Sequence, residues 1–199
     1  MAKFIVFEGL DGCGKTTQIE RLGAHLSNKG ANCLVTREPT NGAIGSIARQ
    51  ALLGEIELST DALALVFAAD RAEHVEKVIR PSLAAGQHVL CDRFVYSNMA
   101  FQGTKLPIEA IAAYNARSFD AVDMTIFIDV PPEECNRRIS ASRKNVEIYD
   151  KIEIMRRVRE LYSEVFRLYG NVMPVSFIDG NAPEDDVFSK ILSAVSGIL

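Results

Sequence analysis

Residues 3–17 read KFIVFEGLDGCGKTT, an apolar run that breaks into a glycine-rich turn and then a lysine and two threonines. The spacing is Gly9-x4-Gly14-Lys15-Thr16, and each fixed position has a physical reason. The apolar run predicts a strand that feeds a tight loop, whose backbone N–H groups can surround phosphate oxygens. Glycines at 9, 12 and 14 allow positive φ and let the main chain approach an anion with no side chain in the way. Lys15 supplies a point charge for the β/γ-phosphates, and the Thr16 hydroxyl is placed to ligate Mg²⁺. The spacing predicts a helix from about Gly14 to Lys29, with its positive N-terminal end on the same anion. The expected phosphate loop is Gly9, Asp11, Gly12, Cys13, Gly14, Lys15, Thr16 and Thr17, and its expected ligand is a nucleoside triphosphate.

Outward from this loop, short apolar or β-branched runs alternate with helical spacing. After KFIVF come NCLVT (32–36), HVLC (88–91), MTIFIDV (124–130) and MPVSFI (173–178). Between them, Ile19, Leu22 and Leu26 form one helical stripe, and Met155, Val158, Tyr162, Val165 and Tyr169 form another. A third stripe, Ile191, Leu192, Val195 and Ile198, closes the chain. Nearly unbroken apolar strands separated by helices predict an α/β fold: a parallel sheet covered by helices on both faces. In such sheets ligands gather beyond the carboxyl ends of the strands. Those ends carry Glu8 with the phosphate loop, Thr36-Arg37-Glu38-Pro39, Asp92-Arg93 and Asp129.

Bulk properties bound the remaining choices. The chain has 199 residues, 48% of them hydrophobic, enough for one core, and is read as a single domain over 1–199. A formal charge of −4 argues against nucleic acid as the main partner, because backbone phosphates call for a basic face. Cys13, Cys33, Cys91 and Cys135 show no CxxC spacing, which suits a reducing compartment better than a disulfide framework. No run approaches the length of a membrane span, so a soluble cytoplasmic enzyme is expected. His25, His74 and His88 have no metal-ligand spacing. Residues 137–151, RRISASRKNVEIYDK, are polar and basic, and beside a phosphate loop they read as a mobile lid.

Four stretches in order resemble the thymidylate kinases: FEGLDGCGKTTQ (7–18), TREP (36–39), FAADRAEHVEKVIRP (67–81) and CDRFVYSNMAFQG (91–103). Weaker echoes are IDVPPEE (128–134), YDKIEIMRRVRELY (149–162) and IDG (178–180), so the likeness covers nearly the whole chain. The resemblance implies a P-loop kinase fold with a five-stranded parallel sheet, ATP and Mg²⁺ at the loop, dTMP as acceptor, and pairing as a homodimer.

It also assigns roles that agree with the residue chemistry. A guanidinium grips phosphate through two parallel hydrogen bonds, and Arg37 and Arg93 are expected on the acceptor phosphate. Phe67 and Arg71 are four apart and share a helix face, suiting a ring under the thymine and a cation at its O4 edge. Asp92 is expected to hold a Mg²⁺ water or assist the attacking oxygen, and Asp11 to contact the deoxyribose 3′-hydroxyl. Asn98 and Gln102 offer amides to the pyrimidine edge, Phe101 crowds the 2′ carbon, and Ser97 supports the site. Asp179-Gly180 resembles a loop bordering adenine and is equally an ordinary turn.

The chain departs from the family at three points. Some relatives carry arginine where this chain has Gly12, so the compensating cation is expected from the lid: Arg138, Arg143 or Lys144, with Arg143 chosen. The common Asp-Arg-x-x-Glu reads Asp150-Lys151-Ile152-Glu153, and lysine lacks the planar fork. After TREP, Thr40-Asn41-Gly42-Ala43-Ile44-Gly45 replaces Gly-Gly-Thr. A deoxynucleoside kinase shares the loop and lid but needs no arginines for an acceptor phosphate. A nucleotide switch leaves Phe67 and Arg71 unexplained.

Overall fold

The computed structural model describes residues 1–142, 148, 149 and 151–199. Among them, β1 (Phe4–Glu8), β2 (Cys33–Arg37), β3 (His88–Asp92), β4 (Met124–Asp129) and β5 (Val175–Asp179) form one sheet. Its order is β2-β3-β1-β4-β5, and every neighbouring pair is parallel. All five residues of central β1 are buried. Successive strand residues point to opposite faces, so both sides of the sheet are covered.

The covering helices are α1 (Lys15–Asn28), α2 (Ala43–Leu52), α3 (Thr60–His74), α4 (Arg80–Ala84), α5 (Val95–Gln102), α6 (Ile108–Tyr114), α7 (Pro132–Ser142), α8 (Ile152–Tyr169) and α9 (Glu184–Val195). The expected stripes face inward: Ile19, Leu22 and Leu26 of α1 and Met155, Val158, Tyr162 and Val165 of α8 are buried, and Tyr169 at the end of α8 packs part-buried on the core. In α9, Ile191 and Val195 are buried and Leu192 is part-buried, and Ile198, just past the helix, packs part-buried at the edge of the same core. A π-helical turn, Val75–Ile79, joins α3 to α4. Pro81 has no N–H to return to the carbonyl of Lys77, and the widened turn absorbs that loss.

The strands run one residue further than the apolar runs at three places. Glu8, Arg37 and Asp92 belong to the ladder, with Arg37 opposite Asp92 and Asp92 opposite Phe7. As expected of strand ends, these are the last sheet-bound positions before the chain turns. Their backbones are therefore fixed by the sheet. Residues 137–142 of the expected lid form the last turns of α7, whose Glu134 pairs with Arg137 and Arg138 at 2.7 Å. Arg143 and Lys144 lie outside the described residues.

Candidate active site

The phosphate loop leaves β1 at Glu8 and enters α1 at Lys15. Gly12 has φ +78°, and a Cβ there would meet the Cys135 carbonyl oxygen of α7 at 2.6 Å. The loop is thus packed directly on α7, which leaves no room for a side chain at this position. Gly14 is the left-handed N-cap of α1, φ +97°. Lys15 is buried, and its ammonium donates to the Gly9 and Leu10 carbonyls at 3.1 and 2.9 Å. The expected metal pair meets: the Thr16 hydroxyl donates to Asp92 Oδ2 at 3.2 Å. Asp92 Oδ1 is buried with no hydrogen-bond partner among the described residues. An unsatisfied carboxylate oxygen beside a hydroxyl is an all-oxygen donor set of the kind Mg²⁺ takes.

A cleft of about 900 Å³ runs from this loop across the carboxyl ends of the strands. Its walls include every described residue expected of the site except Gly9: Asp11 through Thr17 on one side, and Arg37, Phe67, Arg71, Asn98, Phe101 and Gln102 on the other, with Asp92 and Arg93 between. Gly180 also lines it, at the turn that follows β5. Arg138 lines it from α7, whereas exposed Lys151 caps α8 and is not on the wall.

Arg93 holds the centre. Its φ of +71° lies in the left-handed region that a side chain rarely adopts, a strain the surroundings must enforce. They do so from four sides. Its Nη2 pairs with Asp11 Oδ1 at 2.8 Å, and its Nη1 donates to Gly9 O at 3.1 Å and Ser97 Oγ at 2.9 Å. The guanidinium carbon sits 4.7 Å from the Phe101 ring centre. Burial opposes the charge, but Asp11, Tyr162, Asp92 and Glu8 outweigh it and push the guanidinium pKa up. Asp11, expected on the 3′-hydroxyl, thus also carries the arginine.

Beneath Arg93 lies a group whose role the sequence did not reveal. Glu8 is fully buried and accepts the N–H groups of Phe94 and Ser97 at 2.9 and 3.1 Å, the Ser97 hydroxyl, and the Tyr162 hydroxyl at 2.9 Å. It ties the start of α5 to the end of β1. Tyr162 read only as a helical core position, yet its hydroxyl also stands 2.9 Å from Ser97 Oγ. Burial, then the Glu8 charge, pushes the phenol well up, so it stays protonated and donates.

At the far end, Arg71 is about 1% exposed. Nη1 donates to Asn98 and Asn115 Oδ1, and Nη2 to the Phe94 carbonyl at 3.0 Å. Nη2 also forms a 2.7 Å ion pair with Glu38, though not aligned as a hydrogen bond, and Nε has no partner among the described residues. Much of its fork is therefore held by the protein itself, through Asn115 and Glu38, which no spacing signalled. Asn98 Nδ2 donates to Gln102 Oε1 at 2.8 Å, and Gln102 Nε2 to the Tyr149 hydroxyl at 2.9 Å. Tyr149 stands edge-on to Phe101, with ring centres 5.0 Å apart. The expected lid thus touches the cleft at Tyr149. Arg37 is exposed on the cleft wall, its side chain without a partner among the described residues.

The chain that builds this cleft has relatives among known proteins. The thymidylate kinase family model matches residues 7–191. The chain belongs to the thymidylate kinase family. It is 37% identical to the "Probable thymidylate kinase" of Pyrococcus horikoshii over 96% of this chain and 95% of that protein. It is 38% identical to that of Thermococcus kodakarensis, over 98% of each chain. The "Thymidylate kinase" of Desulfotalea psychrophila is 36% identical over 82% of this chain and 81% of its own. Membership agrees with the all-parallel sheet and the loop at its centre. Among the described residues no helix of this family member is long and apolar enough to cross a membrane.

Proposed function

We infer that the protein transfers the γ-phosphoryl group of ATP to dTMP, giving ADP and dTDP, a step toward dTTP. The observation that carries this is one cleft with a phosphate loop on one wall and Arg37, Phe67, Arg71 and Arg93 on the other. A triphosphate donor needs the first, and an aromatic base bearing its own phosphate needs the second.

The acceptor's phosphate oxygen attacks the γ-phosphorus, the bond to the β,γ-bridging oxygen breaks, and ADP leaves with that oxygen. Such a transfer calls for in-line positioning and surrounding positive charge more than for a strong base. The loop N–H groups and Lys15 hold the donor phosphates, with the ammonium turning from the Gly9 and Leu10 carbonyls to reach them. Arg37 and Arg93 hold the acceptor phosphate, Asp11 orients Arg93 and reaches the 3′-hydroxyl, and Phe101 sits beside both. The base lies on Phe67, with Arg71, Asn98 and Gln102 along its edge. Thr16 and Asp92 would hold Mg²⁺, which when bound neutralises charge on the donor phosphates. A cation from the lid, Arg143 with Arg138 beside the loop, completes the shell as water is excluded.

The homodimer expected of the family has a candidate face: Ile47 of α2, Leu65 of α3 and Val78 of the π-helical turn are exposed, and α2 packs on α3. The four free cysteines suit a reducing cytoplasm.

The test is ADP release from ATP·Mg²⁺ with dTMP, dUMP, dCMP, dGMP or thymidine, each alone. Strong preference for dTMP is expected, with little hydrolysis when no acceptor is present. Activity on thymidine but not dTMP would reassign the protein as a nucleoside kinase. Replacing Mg²⁺ with EDTA should abolish turnover, and Asp92→Asn should raise the Mg²⁺ concentration needed for half-maximal rate by about tenfold or more.

A further inference from the structure

No step above uses a set of side chains that joins α3 to the segment following β2. Asp70 accepts both the Thr40 N–H at 2.7 Å and the Thr40 hydroxyl at 2.6 Å. His74 places Nδ1 3.0 Å from Glu38 Oε1 and Nε2 2.9 Å from Thr36 Oγ1. The other Glu38 oxygen is the one paired with Arg71. Glu38 and His74 are 5% and 3% exposed. Two acceptors cannot face each other, so Nδ1 carries a proton toward the carboxylate, and Nε2 shares a hydrogen bond with the Thr36 hydroxyl.

Thr36 and Glu38, the residues on either side of Arg37, are both held on α3, and the Glu38 N–H still donates to the Asp92 carbonyl at 3.0 Å as the ladder ends. Along a strand alternate side chains leave on opposite sides. Holding 36 and 38 on α3 therefore turns the side chain of Arg37 away from that helix, and Arg37 is the exposed residue on the cleft wall. The same carboxylate fixes one edge of buried Arg71. One buried glutamate thus touches the base-end arginine directly and sets the backbone of the phosphate-end arginine.

We propose that Glu38, braced by His74, is a positioning residue for the acceptor nucleotide, setting Arg71 at the base and Arg37 at the phosphate together. This rests on the assignment of those two arginines to dTMP. Neither Glu38 nor His74 touches the donor end.

The test compares wild type, Glu38→Gln, His74→Gln and Arg37→Ala for dTMP KM, ATP KM and the Ki of thymidine, which carries the base without a phosphate. Glu38→Gln should raise both dTMP KM and thymidine Ki by about tenfold to a hundredfold, with ATP KM within about twofold. His74→Gln should move the same two constants by a smaller factor, about threefold to tenfold, and it carries the test if Glu38→Gln does not fold. Arg37→Ala should raise dTMP KM and leave thymidine Ki alone. Constants for dTMP and thymidine within about twofold of wild type in Glu38→Gln would overturn the proposal. So would equal losses for ATP and dTMP, which mark general damage. An Arg37→Ala enzyme with normal dTMP KM would instead remove Arg37 from the acceptor phosphate. The two failures are distinguishable because Glu38→Gln would still raise thymidine Ki through Arg71.

Discussion

Asp11 and Arg93 meet at 2.8 Å across the mouth of the phosphate loop, joining the loop after β1 to the end of β3. The pair is part-exposed, so its worth lies less in stability than in direction. Arg93 already carries a left-handed backbone, and the carboxylate, the Gly9 carbonyl and Ser97 together leave its guanidinium one orientation. The phosphate loop and the opposite wall of the cleft thereby meet at one residue.

Arg93→Ala should lower turnover by about a thousandfold or more while leaving the circular-dichroism spectrum unchanged, as should Lys15→Ala. Arg93→Lys keeps the charge and loses the fork, and should recover only part of that rate. Near-normal steady-state kinetics in the folded alanine variant at either position would remove that residue from the mechanism.

Gly12→Ala should be costly although it adds one carbon. The Cβ would lie 2.6 Å from the Cys135 carbonyl, and φ is +78°, so about 1–3 kcal/mol of strain is expected. The readout is a lowered melting temperature together with weaker nucleotide binding by calorimetry. Unchanged values would mean that α7 yields to the loop.

The cysteines should be inert near neutral pH. Burial pushes the Cys33 thiol up to about 11 and the Cys135 thiol to about 12. It also pushes up Cys13, against the pull of Lys15 and Arg93, and Cys91. A raised thiol pKa leaves less thiolate at any given pH below it, so alkylation should grow only as pH climbs toward those values. Iodoacetamide at neutral pH should leave most activity intact, with little mass added. Rapid modification of Cys13 would show that the loop opens.

A charge placed on the α2–α3 face should split a dimer. Leu65→Glu, at a side chain 45% exposed, should convert the dimer to monomer in sedimentation velocity without lowering the melting temperature of the isolated chain. A wild-type chain already monomeric at micromolar concentration would remove the proposed pairing.

Arg143→Ala should lower turnover well beyond twofold and leave both KM values near wild type, because a lid cation acts on the transferring group. A loss confined to Arg138→Ala would move that role to the cation that lines the cleft from α7.

What could be read directly from the chain followed from local periodicity and from one loop. Five apolar runs, their intervening stripes and Gly9-x4-Gly14-Lys15-Thr16 are short-range patterns, and short-range sterics and burial dictate them. The residues expected to bind dTMP came from resemblance, and the described ones line one cleft because all sit at carboxyl ends of neighbouring strands or on the helices that follow. The partners of those residues were not legible. Glu8 was legible as a strand terminus and Tyr162 as part of a helical stripe, and nothing in the spacing marked Asn115, Asp70 or His74. Each is defined by a contact across 30 to 154 positions of chain. A buried polar group declares its purpose only through the group that satisfies it, and that partner is chosen by packing, not by spacing. The sequence by itself therefore determined the sheet, the phosphate loop and the kind of chemistry. Only the tertiary structure decided how Arg93, Arg71 and Arg37 are held, because orientation depends on long-range hydrogen bonds that no local pattern encodes.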